Sequence, residues 1–153
     1  MKYIKLLLVI VIAGIGLQAA AQTKPFVKTK PPKLYTQLGA YRDSVTITVA
    51  EAEQMVAMQL KIFDDKKTAY TVSSYQLAYR KIGVTEDEQT GKVTPTYTLT
   101  ASLFKTTPLP ATWVEQLKEQ VKPGDELWFF DVIAKDAQGR AMYAPDLKFR
   151  IKN

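Results

Sequence analysis

The chain contains no histidine and no cysteine. The first absence removes the side chain most often used as a general base near neutral pH, and the commonest metal ligand with it. The second removes the thiolate nucleophile and every disulfide, so stability rests on packing and backbone hydrogen bonds. Chemistry is left to carboxylates, lysine, tyrosine and hydroxyls. A serine nucleophile at Ser73 or Ser74 in "TVSSY" would need a lysine as base. Neither the lysine spacing nor a strand-turn-helix elbow supports one, so both serines read as strand interior. A Gly-rich phosphate loop and an internal repeat are missing as well. With 46% hydrophobic and 24% charged residues the composition is that of an ordinary globular domain.

What is present begins with "MKYIKLLLVIVIAGIGLQAAAQ". Lys2 and Lys5 precede an apolar run from Leu6 to Leu17, and Ala19, Ala20 and Ala21 follow it. As a helix that run reaches only about 18 Å, short of a hydrocarbon core of about 30 Å. A basic start and a small-residue end fit a signal peptide over residues 1–21 cleaved after Ala21, with an uncleaved anchor as the other reading. The expected location is the periplasm, or alternatively the exterior. No cysteine follows the run to carry a lipid. Residues 22–40, which include "TKPFVKTKPPKLY", are rich in lysine and proline and are expected to form an extended basic linker. Of the formal charge of +6, two units lie in the leader and part of the rest in this linker. Neither patterning nor compartment favours nucleic acid as a partner.

The folded domain is expected over residues 41–153. "DSVTITVA" alternates Val45, Ile47 and Val49 with threonine, as a half-buried strand does. "EAEQMVAM" is a short helix or helical turn before a strand through Leu60, Ile62 and Phe63. "TAYTVSSYQLAYRKI" is a long strand, with Tyr75, Leu77 and Tyr79 on one face and Gln76, Ala78 and Arg80 on the other. "GVTEDEQTGKVTP" reads as a loop; its Glu86, Asp87 and Glu88 lack the spacing of a calcium loop. "TYTLTASLF" alternates again. In "PLPATWVEQLKEQVKPG" a helix is expected with Thr112 and Glu115 as a capping box and Pro123 and Gly124 as its stop. "ELWFFDVIA" is apolar on both faces, as a central strand covered on each side would be. After a "DAQGR" turn, "AMY" and "DLKFRIK" complete a fold expected to be mainly β. The expected architecture is an Ig-like β-sandwich of about seven short strands with one or two short helices.

Asp131, between Phe130 and Val132, is the sharpest candidate acid, because a carboxylate enclosed by apolar neighbours would hold its proton near neutral pH. A structural pairing at a strand edge is the other reading. Asp125, Asp136 and Asp146 sit at turns, where they cap amides. Trp113 and Trp128 are expected in the core; on an exposed face they would instead offer a sugar-binding platform. No catalytic residue, cofactor or metal ligand is assigned.

In order along the chain, "YTVSSYQLAYRKIG" and "WVEQLKEQVKPGDELWFFDVIAKDAQGRAMYAPDLKFRIK" resemble the C-terminal domain of the gliding motility protein GldM, known as PorM in non-gliding species. The shared pattern is a V-x-S-[FY] strand, a hairpin, a helix ending "LKxxxKxGD", an "xFxDIxAKxxxG" strand and a terminal "LxFxI" strand, over roughly residues 70–152. GldM-type proteins keep a membrane helix with an acidic residue. The run Leu6 to Leu17 has none, so no coupling to a proton gradient is implied. What the resemblance implies is a non-enzymatic periplasmic protein-protein interaction module without a retained transmembrane helix. It would dock on a protein partner of the type IX secretion or gliding machinery of Bacteroidetes. The positions matching the pattern, Tyr75, Tyr79, Arg80, Asp131, Lys135 and Arg140, are the expected contacts. The alternative is an exported carbohydrate- or envelope-binding β-sandwich.

Overall fold

A computed structural model describes residues 31–153; the expected leader and residues 22–30 of the expected linker lie outside them. The described residues form eight strands and two helices: β1 Leu34–Leu38, β2 Val45–Thr48, α1 Val49–Met55, β3 Leu60–Asp64, β4 Ala69–Glu86, β5 Val93–Phe104, α2 Ala111–Gln120, β6 Glu126–Lys135, β7 Ala141–Tyr143 and β8 Leu147–Lys152. The fold is mainly β and sandwich-like, as expected. The strands form one curled sheet in the order β1-β3-β4-β6-β8-β2, with β5 added to β4 and β7 to β6. All pairings are antiparallel except β2 with β8.

The curl comes from two irregularities facing each other in the central pair. Pairing of β4 with β6 slips between Val72 and Ser74 and again between Ser74 and Gln76. Asp131, in the second slip, has φ 48, the left-handed conformation that Asp tolerates better than most residues. An inserted residue bends a strand and increases its twist. It also reverses the side-chain alternation of β6. Leu127 and Phe129 are buried before the bulge, and Val132 and Ala134 after it. Strict alternation through "ELWFFDVIA" is therefore replaced by two half-strands out of phase, and Asp131 is turned out to solvent.

On the inner side Tyr75, Leu77 and Tyr79 of β4 meet Leu127 and Phe129 of β6, Phe149 and Ile151 of β8 and Ile47 of β2 in one core. The helices close it, α1 through Ala52 and Met55 and α2 through Leu117.

Three local expectations are corrected. The segment 22–40 is not linker throughout: Leu34, Thr36 and Leu38 alternate into the core, and β1 pairs with β3 along its length. The "GVTEDEQTGKVTP" stretch is a loop only at its tip, because β-branched Val84, Thr85, Val93 and Thr94 extend the β4-β5 ribbon. Asp87 accepts from the amides of Gln89 and Thr90 there. Finally, α2 starts on Pro110, with no side-chain cap. Proline presets the backbone, and its carbonyl accepts from Trp113 and Val114. The capping box belongs to α1, where Glu51 N donates to Thr48 Oγ1 and Thr48 N to Glu51 Oε2.

Candidate partner-binding surface

Residues opposite each other in an antiparallel pair point to the same face. The register therefore builds a second, outer face from Gln76, Ala78 and Arg80 of β4, Leu103, Ala101 and Leu99 of β5, Phe130, Trp128 and Glu126 of β6, and Lys148 and Arg150 of β8. No helix lies against it among the described residues. Leu99 is 65% exposed, Leu103 59% and Trp128 40%. The Trp128 and Phe130 rings lie 4.7 Å apart at 31°, and Trp128 Nε1 donates to Asp146 at 3.3 Å. A shallow trough of about 250 Å³ runs between Leu99, Ala101, Trp128, Phe130 and the aliphatic part of Lys148.

The trough ends in a charged cluster. Glu126 lies 3.0 Å from Arg80 Nη1, 3.0 Å from Lys148 Nζ and 3.3 Å from Arg150 Nε. Burial pushes its carboxyl up, but hydrogen bonds from Lys148 and Arg80 and their charges outweigh this, and the group stays ionised below the ordinary carboxylate range. One anion among three cations leaves the cluster positive. The Arg80 guanidinium also stands 4.0 Å from the centre of the Tyr97 ring.

The expected contact residues divide between the two faces. Tyr75 and Tyr79 are buried. Tyr75 lies between Phe104 and Phe129 and donates to the Thr106 carbonyl. The Tyr79 hydroxyl is 2.7 Å from Asp125 Oδ2 and 2.9 Å from the Gln120 carbonyl. Neither ring has surface to offer a partner, so both belong to the core. Arg80 is on the outer face, beside the trough. Asp131 is exposed and accepts from Gln76 Nε2 at 2.7 Å, which makes it a bulge residue and not a carboxylate enclosed by apolar groups. Lys135 and Arg140 are exposed near the β6-β7 turn, away from Arg80, with Arg140 paired to Asp136 at 2.6 Å.

Trp113 is half-buried, edge-on to Phe104, whereas Trp128, expected in the core, faces outward. Asp125, expected to cap amides at a turn, does so from inside the fold. This carboxylate is 2% exposed and accepts from Tyr79 Oη, Ile82 N and Lys122 N.

These carboxylates and phenols set the pH limits of the fold. Burial raises the Asp64 and Asp136 carboxyls, but amide hydrogen bonds to their turns more than offset it, and both fall below their ordinary 3.8. With Glu126, they bind protons more weakly folded than unfolded. Their contribution is complete above the ordinary carboxylate range and is lost as pH falls through the lowered folded values. Burial pushes Tyr75 from 10.0 up to about 12, and burial and Asp125 raise Tyr79 as well. Their contribution is complete below pH 10 and is lost as pH rises through the raised values. The urea midpoint should thus be level through neutral pH and fall on both sides, below about pH 4 and above about pH 10. A steady decline starting between pH 6 and 8 would contradict this assignment.

Among the described residues no helix is long and apolar enough to cross a membrane. Comparison with protein-family models gives no match to the chain, and no curated protein matches it either.

Proposed function

We propose that the chain is a non-enzymatic protein-protein interaction module of the cell envelope, related to the GldM end domain. It docks on a component of secretion or gliding machinery through the outer face of β4, β5 and β6. The observation that carries this reading is the exposed apolar surface of Leu99, Leu103 and Trp128 beside a net positive cluster. Apolar area of this kind favours burial against a partner, and its charged margin favours a partner of opposite sign. The signal-like stretch over residues 1–21 supports a partner in the envelope. The ordered motifs from Tyr70 to Lys152 make a ring component of the type IX secretion apparatus the first to seek.

The test is capture of cross-linked envelope proteins on the tagged full chain, followed by mass spectrometry. A ring component should be enriched, and Trp128→Ala with Phe130→Ala should reduce it at least tenfold. Capture of no ring component, or capture indifferent to both substitutions, ends the docking model.

The close Trp128 and Phe130 rings favour one other reading, a platform for an envelope saccharide, since sugar faces stack on exposed aromatic rings. Co-sedimentation with purified cell-wall polysaccharide that is lost on Trp128→Ala would decide for it.

A further inference from the structure

We propose that β5 is a self-pairing strand, whose free edge joins antiparallel to the same edge of a second copy of this chain. Among the described residues β5 pairs only with β4. The opposite edge of a strand of 12 residues is thus left open. At about 3.4 Å per residue it is roughly 40 Å long. From Val93 to Ala101 every residue is exposed. An exposed edge of that length is a template for another strand, and proteins ordinarily block it with charges, inward-pointing lysines or a very short strand. Here "VTPTYTLTASLF" contains no charged residue. Pro95, near one end, is the sole blocking device in it.

The pattern also says which strand fits. Tyr97, Leu99, Ala101 and Leu103 lie on the outer face, while Thr96, Thr98, Thr100 and Ser102 lie on the inner one. When two such strands pair about a twofold axis through a residue, odd positions meet odd and even meet even. Leucine, tyrosine and alanine then meet each other on one side, and the hydroxyls meet on the other, both favourable cross-strand combinations. An axis between residues would set leucine opposite threonine, and the alternation disfavours it. With no charge in the strand, a second copy meets no like charge in the ladder. Leu99 and Ala101 also line the trough, but self-pairing runs along the backbone edge of β5 and is read by the cysteine scan, whereas docking is read by capture on Trp128→Ala with Phe130→Ala, so the two can fail separately.

Absence of native cysteine makes the test direct. Single cysteines are placed in the full chain, in turn, at each position from Thr96 to Ser102, and at the exposed Gln138 in the β6-β7 turn as a control. Each variant is oxidised in the cells that make it and read on a non-reducing gel. Directly opposed side chains in an antiparallel pair are close enough for a disulfide. A covalent dimer is expected to peak at one β5 position, at least fivefold above the Gln138 control, and to be lost when Leu99→Lys is added, or Ala101→Lys where the cysteine stands at position 99. Leu99 is exposed, so this lysine leaves the fold intact, as an unchanged circular dichroism spectrum verifies. No dimer above the control, equal dimer at every position, or cross-linking only to a different protein would overturn the proposal.

Discussion

Asp125→Ala is expected to lower stability by about 3–4 kcal/mol, read as a fall in the urea midpoint with little change in slope. The carboxylate is buried and answers two backbone amides and one phenol. Alanine leaves Ile82 N and Lys122 N without their acceptor, and each orphaned donor costs about 1–3 kcal/mol, less where water reaches it. The Tyr79 hydroxyl keeps the Gln120 carbonyl, which limits its share. Against a typical total of about 5–15 kcal/mol the loss is severe. Asp125→Asn, which keeps one acceptor oxygen, should cost roughly half as much. A change below about 1 kcal/mol for the alanine variant would mean that water replaces the carboxylate, and that the turn between α2 and β6 does not hold β4 as described.

Phe129→Ala should cost about 3–5 kcal/mol, and Phe130→Ala, its neighbour, less than about 1.5. Phe129 is 1% exposed and meets Tyr75 at 5.9 Å and Phe149 edge-on at 6.2 Å. Removing it empties the centre of the core, whose other rings can collapse only partly. Phe130 covers only part of its ring, against Trp128 on the open side. The contrast between adjacent residues of the same type tests the register directly. Equal costs for the two would place β6 between two covered layers, and the outer face would no longer be open. The unfolding midpoints of the paired variants, measured in urea, suffice.

Much of this architecture is written in alternation. Val45 to Thr48, Tyr75 to Tyr79 and Leu147 to Lys152 repeat with period two, and the structure has them as strands, with Tyr75, Leu77 and Tyr79 together on one face as expected. Alternation states which residues share a face, but not whether that face is covered. Leu77 and Leu99 have similar sequence surroundings, yet one is wholly buried and the other stands in solvent. Which side α2 covers is a long-range fact that no local window holds.

The bulge was hidden for a different reason. "ELWFFDVIA" is apolar at both phases, so a reversal at Asp131 leaves no break in the hydrophobic pattern. Its one trace is the aspartate itself, the residue in the run best suited to a positive φ. β1 was masked by its company: "LYTQL" has a strand pattern of its own, but follows lysines and prolines that read as linker. Of the residues expected as contacts, Arg80 lies beside the trough of the outer face and Asp131 is exposed at the bulge. Trp128 was read inward, because a large aromatic in an apolar strand is more often core.

The pairing of β2 with β8 governs when the molecule can be completed. These two run parallel, and Lys148 N donates to the Ser44 hydroxyl across 104 positions. An early strand thus waits, with Ile47 uncovered, until β8, about 100 residues later, has been synthesised. Contacts of such separation form slowly, since a long loop must close before they contribute. A nascent chain that cannot finish its sheet early leaves this apolar strand open to solvent, or to a chaperone, while the segments between are being made.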